Sequence, residues 1–469
     1  MAIRYKTNSS TVVRSAAWYT LSNILVKGLG FITIPVFTRV LTQEEFGIYN
    51  NYLSWLNVMT IVVTLSLEST LISAKKDYKD DLGGYVFSMM ALSMTSAVVW
   101  LILASLLPFW FESIFMLKSE YVLSIFFYLI FFPIVTLFQT WERFTYKYRV
   151  SVTVSLILAI GIALLSVVLS LACPVKVDGT IIGRILPAMI IGLCILVWMI
   201  KSGYKLNLNY WRYALPIAWP FVPHLLAMTL LAAMNKIFVT RYCGADANAL
   251  FSLANSCGML VSILVTSLNN AFSPWLGDKL AQNKTEDVRR FSRPYIACFC
   301  GGAILVPMVA PEALLLLGGE DYLEAAAVIP PISMSCVLQF AYCMYVNIEQ
   351  YKKRTKGMAV ASLSAALINA MLDIVLIPRF GFVSAAYASV ISYAWLLCSH
   401  MFLVGRLQML DAYDNKFIIG AVSVACIFMA ATSLIYPLIL LRWVVLAIVI
   451  VVEITAIVVL KKECLRKGE

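Results

Sequence analysis

The chain has 469 residues, of which 61% are hydrophobic and only 13% charged, with a mean hydropathy of +0.87. A soluble domain carries about a quarter charged residues. The composition therefore excludes a soluble enzyme or binding module and predicts an all-α polytopic membrane protein. The net charge of +11 would suit a nucleic-acid partner if it were clustered, but its distribution follows a membrane.

A spanning helix needs about 20 mostly apolar residues, because the hydrocarbon is about 30 Å thick and a helix rises about 1.5 Å per residue. About fourteen such stretches are predicted: 15–38, 47–72, 84–106, 121–141, 150–172, 180–200, 214–239, 249–272, 294–316, 326–348, 358–377, 384–404, 417–437 and 443–460. Runs this long do not alternate as barrel strands do, so helices are expected. Residues 1–14 are polar and basic, and the first apolar run is too long for a signal h-region, so no cleaved signal is expected. With the N-terminus inside, the outer loops hold only Arg39, Lys118, Lys176, Arg241, Arg379 and Arg442. Lys27, Arg184 and Lys236 fall within spans, and the rest of the 36 Lys and Arg lie on inner segments. This positive-inside bias predicts two cytoplasmic termini.

Span one carries Thr20, Asn23 and Lys27 at spacings of 3 and 4. Lys27 is mid-span, where a charge costs about 2.5–3.5 kcal/mol on translocon scales. A cavity residue is the favoured reading, with a structural ion pair as the alternative. Span two places Asn50, Asn57, Thr60, Thr64 and Glu68 on one helix face. Span eight does the same with Asn255, Ser262, Thr266, Asn269 and Ser273. Helix packing explains the Ser and Thr residues; the asparagines and the glutamate favour a cavity-lining face. Arg184 and Lys236 lie nearer the outer ends of spans six and seven, where snorkelling competes with a cavity role. Pro216, Pro220 and Pro223, followed by His224, predict a bent or broken span seven. His224 is either a satisfied core histidine or a titrating one. Span eleven adds Ser362, Asn369 and Asp373 at spacings of 7 and 4. Glu453, in the last span, lies away from these faces. The eleven cysteines read as scattered apolar-phase thiols, although Cys173 and Cys243 both fall near the outer surface and could pair. The sequon at Asn283 falls on the inner side and is discounted.

The chain reads as a tandem duplication. Phe37-Thr38-Arg39 corresponds to Val239-Thr240-Arg241 at an offset of 202, and Pro174 to Pro378 at 204. Both halves begin on the same side, so the repeats are parallel. The expected organisation is a six-helix half at 1–200, a basic cytoplasmic linker at 201–213, a second half at 214–406, and two additional helices with a tail at 407–469.

Several segments carry a family resemblance. They are Ser22-Asn23 through Ile34-Pro35, Phe46-Gly47-Ile48-Tyr49, Ala271-Phe272-Ser273-Pro274-Trp275, Leu317-Gly318-Gly319-Glu320-Asp321-Tyr322 with Ile329-Pro330-Pro331, and Gly381 through Ala388. In order, over roughly residues 12–406, they resemble the polysaccharide-exporter branch of the multidrug/oligosaccharidyl-lipid/polysaccharide (MOP) superfamily, in particular the O-antigen flippases of lipopolysaccharide biosynthesis. The family often has Gly and Arg near the end of span two, where this chain has Ser66 and Ser73. The resemblance implies two six-helix repeats in a V-shaped arrangement in a bacterial inner membrane. It implies alternating-access transport of an undecaprenyl-diphosphate-linked oligosaccharide, with the polysaccharide polymerase machinery as a partner and no cofactor or metal. Lys27, Arg184 and Lys236 are then the candidates for the cationic cavity. Asn23, Asn57, Thr64, Asn255, Thr266, Asn269 and Asn369 would line it. Glu68, Asp373 and His224 are the candidates for coupling to a proton or sodium gradient. A multidrug or cation antiporter of the same superfamily is the alternative, and an enzyme would want the large extramembrane loop this chain lacks.

Overall fold

The computed structural model describes residues 25–465 except 27, 146, 220, 353 and 354. The described residues are helical throughout, joined by short turns. The helices are α1 (Gly28–Val40), α2 (Gln43–Thr64), α3 (Leu71–Asp77), α4 (Leu82–Leu106), α5 (Pro108–Phe115), α6 (Ser119–Phe144), α7 (Tyr148–Ala172), α8 (Lys176–Lys201), α9 (Leu208–Ala218) and α10 (Phe221–Ala281). They continue as α11 (Thr285–Met308), α12 (Ala310–Leu317), α13 (Ile329–Tyr351), α14 (Thr355–Phe380), α15 (Val383–Arg406), α16 (Asn415–Ile435) and α17 (Ile439–Leu465). Short 3-10 turns sit at Leu67–Thr70, Glu320–Val328 and Leu410–Ala412. Among the described residues ten helices are long and apolar enough to cross a membrane, or eleven if the bent pair Gln43–Thr64 and Leu67–Lys75 is one span.

Local chemistry sets the helix boundaries. Thr42 and Glu45 form a reciprocal capping box at the start of α2. Asp81, Asn207 and Asp414 accept backbone N–H bonds at the starts of α4, α9 and α16. Prolines open α5 and α13, where their missing N–H costs nothing.

One element differs from the sequence reading. Span two was expected to be continuous from 47 to 72. It breaks after Thr64, because Leu65 and Ser66 both take left-handed backbone angles (φ 51° and 54°), which no α-helix propagates. Spans seven and eight, expected to be separate, both fall in α10, where non-helical backbone at Gly244 parts them; its φ of 89° with ψ of 179° suits a residue without Cβ. At the proline-rich start of span seven, α9 ends at Ala218 and α10 begins at Phe221, and Pro220 between them lies outside the described residues.

The chain divides into two compact units, Met1–Arg241 and Tyr242–Glu469. In the first, the core is built from Tyr52, Tyr85, Tyr128, Phe126, Met89 and Met90, each almost fully buried. The packing of α7 on α8 depends on glycine: a Cβ on Gly179 or Gly183 would strike the α7 backbone at Leu169 and Ser166. Small residues let helix backbones approach where lipid is as apolar as the core, and Ser166 Oγ uses that proximity to donate to the Thr180 carbonyl at 3.0 Å. Part of the segment read as a linker is ordered against this unit. Tyr210 donates to Asp81 (2.8 Å), Tyr213 to Asp77 (2.6 Å) and Trp211 to the Ser88 carbonyl (2.8 Å).

In the second unit the core is centred on Phe340, Tyr345, Met344 and Tyr413. Helix α14 shows the inside-out pattern of a lipid-facing element. Leu363, Leu367, Met371, Ile374 and Val375 are exposed, whereas Ala361, Ala365, Asn369, Asp373 and Ile377 are buried. Arg442 of α17 is paired with Glu312 of α12, and Arg293 of α11 with Asp414.

Candidate functional site

In the first unit the geometry converges on Arg184. The residue follows Gly183, so the tight α7–α8 contact fixes the turn from which its side chain leaves α8. Tyr49 and Tyr52, three residues apart on α2, share a face and stack with ring centroids 6.4 Å apart. Arg184 Nη1 donates to Tyr49 Oη at 3.4 Å, and its guanidinium lies 5.8 Å from the centre of the Tyr128 ring on α6. Among the described residues Arg184 forms no ion pair. Its Nε is buried without a hydrogen-bond partner among the described residues.

Tyrosines orient a guanidinium and contribute cation–π attraction of about 0.5–2 kcal/mol. They do not neutralise it. Arg184 is therefore an uncompensated positive charge with open donors, inside an apolar unit. Next along α2, Trp55 stacks on Phe115 at 4.2 Å with its indole N–H unpartnered. Trp55, Val58 and Met59 pack with Ala233 and Ile237 of α10, the residues that flank Lys236. Lys236 is half-buried and also lacks an ion pair among the described residues. Helix α2 thus has one neighbour carrying Arg184 and another carrying Lys236.

The polar face predicted on span two has a different fate. Asn50 Nδ2 and Thr60 Oγ1 donate to carbonyls of their own helix (2.8 and 2.7 Å). Asn57 is exposed, and Thr64 is buried at the helix end. Glu68 lies beyond the break, exposed in the 3-10 turn, and so off the helical face it was expected to share. On the span-eight face, Asn255 is half-buried and Thr266 is exposed, with its hydroxyl on the Ser262 carbonyl. Asn269 accepts from Asn347 of α13 at 2.8 Å, an interhelical bond of the packing kind. Lys27 and Asn23 lie outside the described residues, as does the side chain of His224. Cys173 and Cys243 are free thiols.

In the second unit the predicted stripe on α14 is buried at Asn369 and Asp373. Both are fully inaccessible, and neither the Asn369 amide nor the Asp373 carboxylate has a hydrogen-bond partner. They lie one turn apart, so a carboxylate and an amide with open valences share one place. A second buried acid was not singled out from the sequence: Glu349 of α13 lies 2.7 Å from His400 Nδ1 of α15.

Sequence reasoning found the charge of Arg184 but missed its tyrosine partners. The i, i+3 spacing of Tyr49 and Tyr52 on span two is a signal that could have found them, whereas Tyr128 on α6 carries none.

The family model described as "Polysaccharide biosynthesis protein" matches residues 12–279, and one described as MatE matches residues 220–375. Over 91 residues the chain is 26% identical to the succinoglycan biosynthesis transport protein ExoT of Rhizobium meliloti (strain 1021), covering 19% of this chain and 18% of that protein. The fold is similar to that of lipid II flippase MurJ in an inward closed conformation, with a TM-score of 0.67 at 12% identity over 95% of this chain and 99% of that one. It is similar also to an inward-facing multidrug resistance MATE transporter of the MOP superfamily, with a TM-score of 0.64 at 12% identity over 85% and 98%.

Proposed function

The chain belongs to the polysaccharide biosynthesis protein family, a transporter family of the MOP superfamily rather than an enzyme family, and from that premise we propose that it flips an undecaprenyl-diphosphate-linked oligosaccharide repeat unit across a bacterial inner membrane. The direction is from the cytoplasmic to the periplasmic leaflet, by alternating access of two six-helix repeats within fourteen spans, with both termini in the cytoplasm. The observation that carries this reading is the uncompensated cation at Arg184. A buried charge is tolerated when a partner arrives to pair it, and a diphosphate is the anion that such a cargo supplies. It cannot cross hydrocarbon unaided. Arg184 would hold phosphate oxygens through Nε and Nη, with the Tyr52 hydroxyl as a further donor, and Lys236 would add a second charge. Trp55 offers an aromatic face of the kind that packs on a sugar ring. Lys27 keeps its place in the cationic set on sequence grounds.

Energy coupling belongs to the second unit in this reading. The Asp373 carboxylate and the Asn369 amide, buried with open valences, are a fitting proton or sodium site. The rival antiporter reading draws on the MatE match over residues 220–375. A cationic cargo would meet repulsion at Arg184, which weighs against it.

The test is Arg184→Ala beside Arg184→Lys, assayed for surface polysaccharide at equal membrane abundance. Losing a buried, hydrogen-bonded charge contact costs about 2–5 kcal/mol, so the alanine variant is expected to lose activity by roughly tenfold or more. The lysine variant should fall between. Full export by the alanine variant would sink the role.

A further inference from the structure

The buried pair Glu349–His400 is not used by the reading above. Glu349 ends the buried face of α13 and His400 sits on α15, 51 residues apart in the chain. Their side chains are 1% and 2% exposed, and Nδ1 and Oε1 are 2.7 Å apart. The imidazole ring is stacked on Tyr342 at 5.5 Å, and Tyr342 in turn on Tyr393 at 6.1 Å. One carboxylate oxygen, Glu349 Oε2, is buried with no hydrogen-bond partner.

We propose that Glu349 and His400 form a proton-binding site, distinct from Asp373, that sets the hold of α13 on α15. An unpaired buried acceptor costs about 1–3 kcal/mol, so the open Oε2 is an unsatisfied valence within the pair. The open Oε2 is where a proton adds. On arrival, the carboxylate becomes a neutral acid, the charge-assisted bond to Nδ1 weakens to an ordinary hydrogen bond, and the net charge of the pair rises by one. Release reverses each change. The path for the proton is short. Glu349 precedes the exposed Lys352 by three residues and His400 precedes the exposed Arg406 by six, so the pair lies about one to two helical turns from that end.

Among the described residues of its own helices the ionisable neighbours are the Tyr342 and Tyr393 phenols, the Cys343 thiol beside Tyr342, Lys352, and Arg406, which lies over the Phe402 ring; from α11 the Tyr295 phenol faces Cys343. From α14 the residues packed here are Gly357, Ala361 and Ala365, which do not titrate. From the turn before α16, Tyr413 donates to the Met344 carbonyl, and Asn415 of α16 accepts from Tyr345. The described residues of these elements place no second ion pair beside the site.

The experiment is an infrared pH titration of the full chain in lipid vesicles, in an Asp373→Asn background, with the difference between that chain and its Glu349→Gln variant separating the new acid from other buried carboxyls such as Glu142. The expected result is a buried carboxylic-acid band in that difference that appears as pH falls and shifts its midpoint in His400→Gln. No such band, or a band unchanged in Glu349→Gln, overturns the proposal. Export measured against pH in the otherwise native chain gives a second readout. A packing pair would change abundance and melting temperature but leave the pH midpoint alone. Should either single variant fail to accumulate, the double Glu349→Gln, His400→Gln, which keeps a neutral hydrogen bond, is expected to fold with its pH response flattened. A wild-type midpoint in that double variant also overturns the proposal.

Discussion

Taking an ion out of water costs several kcal/mol even after the protein relaxes around it, so each buried charge in this chain requires a reason. Arg442 has one in Glu312. Among the described residues Arg184 has neutral tyrosine partners and no ion pair, and Asp373 has no hydrogen-bond partner. Burial without compensation is what places these two in the proposed cargo and coupling roles. For Asp373 the expected consequence is specific. Asp373→Asn keeps the shape and removes the charge, so the variant should fold at least as well as wild type while its transport ceases to respond to an imposed proton or sodium gradient. Proteoliposomes with controlled gradients check this, and an unchanged gradient response would remove Asp373 from the coupling role. Both residues were legible as charges within apolar stretches. The tyrosines around Arg184 were not, because a tyrosine in a membrane span is unremarkable until a charge is seen beside it.

Individual helices show how far local signals reach. Capping residues and opening prolines follow from short-range chemistry, and the sequence displays them. The break at Leu65–Ser66 does not, since neither residue favours a left-handed backbone. It moved Glu68 off the face that its spacing predicted. The cap of α16 supports a testable pH effect. The backbone N–H of Phe417 holds the Asp414 carboxyl below the usual carboxylate range, and Arg293 adds to this. A depressed value in the folded state means the stabilisation is present above the ordinary aspartate pKa of about 3.9 and is lost as pH falls through the folded value. Thermal melting in detergent should therefore show an acid-labile component below about pH 5. Asp414→Asn keeps the N-cap and should flatten that component; an identical acid profile in the variant would contradict the assignment.

Across the chain, polar clasps join segments that the hydropathy pattern puts on the same side of the membrane. Lys176 meets Glu45 and the Val40 carbonyl, Tyr213 meets Asp77, Arg293 meets Asp414, and Arg442 meets Glu312. An alternating multi-pass topology requires this. The charge bias adds the direction, and reporter fusions at the two ends are expected to show both in the cytoplasm; an external signal from either end would refute it. Hydropathy and charge bias could be read directly from the amino-acid order because they are measured against the bilayer, a solvent outside the chain and the same for every segment. They sufficed for an all-helical membrane protein, and the ordered motifs for its transporter family. The rotation of each helix was a different matter. Lipid and helix interior are equally apolar, so a span's composition does not say which side faces its neighbours. Packing alone brought Tyr49, Tyr52 and Tyr128 to Arg184, buried Asn369 with Asp373 rather than Asn57 with Glu68, and closed Glu349 onto His400.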